Sequence, residues 1–403
     1  MDDSSKLLLQ ALSCALHGER VPWEAGSVPS WPQLRHLAAA HSVLPLVAQA
    51  LWGSPIAAAE PEPVKALASR ARMLVTAQAQ HTGDFLLLYR QLLRRGLSPV
   101  VMKGIVCRSL YPFPEQRPSV DEDLLIEPEK TMAYHEAFLS LGFALTEKDI
   151  SLEDAPELSY RHPVSRLYIE LHKYPFPPES EAYGDCNAPF AHALDRAVPF
   201  VFLDTTLYTL SPTDHLLFLI CHAYKHFLHS GVGIRQLCDI GMFAQRYGQE
   251  IDWQRLVREC ASLRIDQMAA AMFRIAECRL GLPMPDAFAD LTVDEGPLLE
   301  DILNAGLYGT EDENRLHSGT MTLDAVAAVK QGRKRRGMLA TLFPSADSLA
   351  TRYPYLRRKP WLLPVAWLQR AAGYLRKRET RAGESVRIGE ERIALLRQYQ
   401  VID

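Results

Sequence analysis

Apolar positions in the first ninety-five residues recur at helical spacing. Leu7, Leu8, Ala11, Leu12 and Ala15 share one face, and Leu34, Leu37, Ala38, the Leu44–Leu46 stretch and Leu51 continue the pattern. Residues 55–63, with Pro55, Pro61 and Pro63 among Ala and Glu, read as a linker. A long helix is predicted over 64–95, with Leu86, Leu87, Tyr89, Leu92 and Leu93 turned inward and Gly96 as its cap. The period then changes. Between 97 and 205, short β-prone runs alternate with turns: 99–102, 120–126, 143–147, 159–163, 167–172 and 198–203, followed by 207–210, are strand candidates, with helices over 105–110 and 129–141. Residues 149–157 read as an acidic loop. Residues 174–189, rich in Pro and Glu, read as a long loop of the kind that often forms a lid. From Ser211-Pro212-Thr213-Asp214, a helix start signal, the helical period returns. Helices are predicted to about 228 and over 234–247, 252–263 and 265–280. The pattern predicts an α+β chain: an N-terminal helical region (1–96), a small mixed-sheet core (97–210), a helical region (211–290) and a C-terminal helical region (291–403).

The composition narrows the class without naming it. With 403 residues, 48% apolar and 23% charged, the chain can bury a sizeable core. A net charge of -4 gives no global case for nucleic acid or membrane. Seven scattered cysteines without a Cys-x-x-Cys pair suggest reduced thiols. The Met-Asp-Asp start carries no leader pattern, and no apolar run approaches the roughly 20 residues of a membrane span, so a cytoplasmic protein with no transmembrane segment is expected. Charge is uneven, however. Residues 330–381 hold 14 Lys and Arg against Asp347 and Glu379, with Tyr353, Tyr355, Trp361, Trp367 and Tyr374 interleaved. Either this is a tail of solvated arginines over an acidic body, or it docks an anionic partner such as RNA, nucleotide phosphates, acidic peptide or lipid headgroups.

Candidate chemistry concentrates in residues 100–128. On a strand over 120–126, Asp121 and Asp123 share a face and Glu122 takes the other. Two carboxylates so placed need a cation between them, and Mg²⁺, which takes hard oxygen ligands, suits the pair. Asp-x-Asp alone is a common pattern of solvated loops; its place inside an apolar strand after a glycine turn sets this one apart. Gly104 lets the backbone approach a phosphate at the start of the following helix, and Lys103 adds a positive charge. In 167–172, Leu167, Ile169 and Leu171 take one face, and Tyr168, Glu170 and His172 the other. Glu170 is then either a glutamate at a sheet edge facing water or a third metal carboxylate.

The helix over 211–229 carries His215, His222, His226 and His229. His222 and His226 lie four apart, as helical zinc ligands can, but no Glu follows His222 and no acid or cysteine is evidently paired. A helix face overlooking the site, with His222 or His226 touching substrate or phosphate, is the preferred reading. Asp239 has Arg235 four residues before it, a structural pair by default. No Gly-x-Ser-x-Gly elbow, Walker A loop, Gly-x-Gly-x-x-Gly or His-Arg-Asp motif is present, which removes serine-hydrolase, P-loop, Rossmann and protein-kinase readings.

Lys103-Gly104, Leu110-Tyr111-Pro112, Arg117-Pro118, Asp121-x-Asp123 and Leu124-Leu125-Ile126 resemble the uncharacterised bacterial nucleotidyltransferase family of the polymerase-β superfamily. The resemblance covers about 97–250 well and the flanks loosely. It departs at the turn, with Lys-Gly where Gly-Ser is commonest. It implies that 97–210 is a catalytic core and 211–290 a substrate- and nucleotide-binding region. Asp121 and Asp123 would hold one Mg²⁺ (or Mn²⁺), Asp123 and Glu170 a second, with Glu170 taking the acceptor proton. Lys103, Gly104 and Arg117 would neutralise phosphates, with His172, His222 and Asp239 also at the nucleotide. The implied reaction moves a nucleoside monophosphate from an NTP to a hydroxyl of a small molecule, a peptide or protein, or RNA. A toxin- or antitoxin-type enzyme modifying tRNA or a partner protein is one alternative; an inert nucleotide- or partner-binding module is another. The preferred NTP, the acceptor and the oligomeric state stay open.

Overall fold

The short strands of the middle region pair into one seven-stranded sheet. They are β1 (Val100–Val101), β2 (Asp121–Leu125), β3 (Ala144–Leu145), β4 (Glu157–Arg161), β5 (Tyr168–His172), β6 (Val198–Phe202) and β7 (Thr205–Thr209). Their order across the sheet is β3-β4-β5-β2-β1-β7-β6. β2 runs parallel to β5 and antiparallel to β1, and β1 runs parallel to β7, so the sheet is mixed and the protein α+β. Leu124, Ile126, Ile169 and Leu171 are all buried on one face. Slipping the β2–β5 register by one residue would turn one strand's set to the opposite face, so their burial fixes the register that sets Asp123 opposite Glu170. The structure, a computed structural model, describes residues 1–147, 150–306, 313–332, 346–349, 353, 355–376 and 382–403.

Before the sheet come α1 (Asp3–Leu16), α2 (Trp31–Ala40), α3 (Leu44–Leu51), α4 (Pro55–Ala59) and α5 (Pro61–Arg94). The expected linker over 55–63 is therefore largely helical. Pro55 and Pro61 open α4 and α5, where a missing N–H costs nothing, so these prolines start helices instead of breaking one. The 34 residues of α5 reach the sheet. There the buried Tyr89 hydroxyl donates to Pro99 O (2.7 Å) and accepts from Tyr208 N–H (2.9 Å), tying α5 to the chain entering β1 and to β7.

After β1 and β2 come α6 (Ile105–Arg108) and α7 (Thr131–Ser140); after β7 come α8 (Pro212–His229), α9 (Ile234–Tyr247), α10 (Trp253–Ser262) and α11 (Asp266–Leu280). Ser211 caps α8 by accepting from Asp214 N–H at 3.3 Å. The chain continues through α12 (Asp286–Ala289), α13 (Gly296–Ala305) and α14 (Glu313–Lys330) to helices Ala346–Leu349, Tyr355–Arg358, Leu363–Arg376 and Ala382–Gln398. The last packs on α14, and α14 packs on α8. One buried apolar cluster runs from Leu8 to Ile402.

Four further expectations meet the structure here. The 174–189 loop is pinned down: Phe176 is buried against Phe218 of α8, and Asn187 bonds both the N–H and the carbonyl of Phe176. Much of the basic 330–381 stretch, namely 333–345, 350–352, 354 and 377–381, lies outside the described residues, as do 148 and 149 at the start of the acidic loop. Within the described part, Lys330 pairs with Asp185 at 2.5 Å. Among the described residues no helix is long and apolar enough to cross a membrane. All seven cysteines are free.

Candidate active site

The polar face of β2 and β5 gathers Asp121, Asp123, Glu170 and His172. Asp123 is 2% exposed. Its Oδ1 meets His172 Nε2 at 3.2 Å, and its Oδ2 faces Lys103 Nζ at 3.1 Å. Lys103 also reaches Asp121 Oδ2 (3.5 Å) and His222 Nε2 (3.4 Å). His172 Nε2 lies 3.6 Å from Glu170, and its Nδ1 lies 3.5 Å from Glu157. Burial favours the neutral imidazole, but Glu157, Asp123 and Glu170 outweigh it and raise His172 to about 10. Burial likewise disfavours an ionised Asp123, yet Lys103 and His172 win and hold its carboxyl well below the usual range. Glu170 moves the other way. Burial raises it, His172 opposes, and Asp123, Glu157 and Asp121 add to the rise.

These residues suit a hard divalent cation. Three carboxylates converge, and the buried Asp123 Oδ2 already has a cation, the Lys103 ammonium, at 3.1 Å. Asp123, Glu170 and, once an arriving cation displaces its proton, His172 can each offer a ligand atom, all within 4.8 Å of one another. The expected trio was Asp121, Asp123 and Glu170. In the structure Asp121 stands across Lys103 from Asp123, and His172 completes the tight group.

The glycine turn has a structural cause that the sequence did not show. Gly104 adopts φ +57°, and a Cβ there would lie 2.7 Å from Glu122 Cδ. Glu122 Oε2 accepts from Ile105 N–H (3.0 Å), while Oε1 meets the buried Arg108 guanidinium. The acid on the far side of β2 thus caps α6 through the Ile105 N–H. Gly104 makes room for a side chain of the protein itself.

Arg117, Asp239 and Arg235 are also re-partnered. Arg117 Nε and Nη2 donate to the two oxygens of Asp239 at 2.8 and 2.6 Å, and Tyr111 adds its hydroxyl at 2.8 Å. All three are buried. The expected Arg235–Asp239 pair does not form; Arg235 donates to Pro118 O. Asp239 therefore anchors the loop before β2 to α9 while it also lines a small cavity. A small cavity of about 20 Å³ beside this anchor is lined by Lys103, Gly104, Arg117, Asp121, Arg235 and Gln236, among others.

A larger cavity, about 370 Å³, lies between the sheet face and α8. Its volume falls in the range of small-molecule sites. Asp121, Asp123, Glu170, His172, His222 and His226 all line it. His222 and His226 bring their Nε2 atoms to 3.2 Å, and burial together with neighbouring cations, Lys103 and Lys225 among them, keeps both neutral. His215 and His229 turn away, to Thr209 (3.1 Å) and the Tyr183 hydroxyl (2.9 Å). Neither His222 nor His226 belongs to a three-ligand group among the described residues, so the zinc alternative finds no third ligand. Sequence reasoning missed Glu157, Arg161 and Lys225 in this wall, and set Tyr168 on its face without a role. Glu157 was placed in a loop, yet β4 begins there and sets it opposite His172; the alternation of Glu157, Ser159 and Arg161 with Leu158 and Tyr160 was the available signal.

An acidic sheet face with a lysine at its centre and a helix closing over it suits an enzyme that handles phosphates. The chain belongs to the family described as uncharacterised nucleotidyltransferases, whose family model matches residues 27–281. No curated protein and no solved structure matches the chain.

Proposed function

We propose that the protein transfers a nucleoside monophosphate from an NTP to an acceptor hydroxyl, with Mg²⁺ bound by Asp121, Asp123 and Glu170. The observation that carries this reading is the parallel β2–β5 register, which sets Asp123 beside Glu170 on one face of the sheet. A bound divalent cation would screen phosphate charge and stabilise the attacking and leaving oxygens. The residues supply the rest. Lys103 meets incoming phosphate with positive charge. Glu170, its carboxyl pushed up by burial, is suited to take the proton of the acceptor hydroxyl. The neutral His222 and His226 line the wall over the reacting groups, and the cavity of about 370 Å³ has room for a nucleoside or a small acceptor group. Intact acidic residues weigh against an inert binding module.

Incubating the protein with each α-labelled NTP, Mg²⁺ and a cell lysate tests this. One lysate fraction should become labelled as pyrophosphate is released. The Asp121→Ala/Asp123→Ala double variant should be folded and inactive. Labelling by that variant at the wild-type level would place the chemistry elsewhere.

A further inference from the structure

Building on the transferase reading, we propose that Arg235 and Gln236 of α9, with Arg117, form a subsite for the terminal phosphate of the nucleotide. All three line the small cavity beside Asp121. They are 5%, 8% and 3% exposed, yet Arg235 Nε, Gln236 Nε2 and Arg117 Nη1 have no hydrogen-bond partner among the described residues. The orientation of the Gln236 amide is set by its other end: Oε1 accepts from Gly233 N–H at 2.9 Å, so the unpaired end is the donor. A buried donor without an acceptor carries the full cost of its desolvation, and here three share one cavity. The carboxylates that also line the cavity are already engaged, Asp239 by Arg117 and Tyr111 and Asp121 by Lys103. The groups left to meet an occupant are two guanidinium groups and an amide N–H₂, which offer hydrogens only and select an oxygen anion.

Position identifies which anion. The small and large cavities share Lys103, Asp121 and His222. A triphosphate whose reacting phosphate sits at Asp123 and Glu170 therefore runs past Lys103 and ends at Arg235. The 20 Å³ volume admits about one oxygen atom, so the terminal phosphate inserts one oxygen and keeps the others towards Lys103. A nucleoside monophosphate has nothing to place there.

Calorimetric titration with inorganic tripolyphosphate, an NTP and the matching monophosphate separates the cases. Wild type should bind tripolyphosphate. Arg235→Met and Gln236→Leu should each weaken tripolyphosphate and NTP by about tenfold or more while leaving monophosphate affinity unchanged. Should Arg235→Met fail to fold, Gln236→Leu reports the same contact. Absence of tripolyphosphate binding by wild type, or equal weakening of NTP and monophosphate, overturns the subsite. Tripolyphosphate binding that follows the expected pattern without any nucleotide transfer would leave the subsite standing and remove the transferase reading.

Discussion

Glu170 and Asp123 face each other across one strand boundary, yet their surroundings drive their carboxyl groups apart. Asp123 is held ionised by Lys103 and His172, whereas Glu170 is raised by burial and by the acids around it. That division suits a fixed ligand and a proton acceptor. Glu170→Gln keeps the shape and loses the charge, so NTP affinity should stay near wild type while transfer falls about 10²–10⁴-fold. Normal pyrophosphate release by the variant would make Glu170 an ordinary sheet residue. At this scale the acids were legible because a period of two sorts side chains between faces, and it assigned Asp121, Asp123 and Glu170 to a face before any pairing was known. The partners of Arg117 and Gly104 were not legible. The local spacing of Arg235 and Asp239 suggested an ion pair, but a bidentate contact from Arg117, 122 positions away, took the carboxylate. Gly104 likewise answers to Glu122, which is close only once β1 and β2 are paired.

Helix α5 is the element that holds the site's sheet from behind the sequence's view of it. The long apolar period announced the helix, and Gly96 its end, but nothing local said that Tyr89 would serve two backbone groups on different strands. Tyr89→Phe keeps the ring and removes the hydroxyl, leaving Pro99 O and Tyr208 N–H without their partner. The loss should be about 2–4 kcal/mol, read as a lower urea midpoint with an unchanged denaturant slope. A change under about 0.5 kcal/mol would mean that water replaces the hydroxyl. Proline explains why the helix over 55–59 was missed. Three prolines in nine residues look like a break, but at the first turn of a helix the ring takes the place of an N–H that has no acceptor.

Across the whole molecule, two buried histidines sit far apart in sequence: His41 in the N-terminal region and His215 on α8. Burial lowers them to about 4 and 3. A histidine depressed in the fold binds its proton more readily in the unfolded chain, so stability is complete above the unfolded value near 6.5 and is lost as pH falls towards the folded values. Each group adds up to about 1.4 kcal/mol per pH unit in that window. Urea midpoints should therefore decline between about pH 6.5 and 4, and replacing His41 with Gln should flatten the decline. A flat profile would mean that these rings titrate as in water. The lysine lodged between Asp121 and Asp123 has a consequence of a different kind. Its ammonium offsets one charge of the acidic pair and the charged His172 sits against Asp123, so the chain can fold before any cation arrives and does not need one as a folding nucleus. Small metal domains that assemble around their ion unfold when it is withdrawn. This protein should keep its melting temperature in excess chelator, and an arriving divalent ion has a resident tenant to displace: occupancy becomes a matter of exchange, one cation for another, in a house already built.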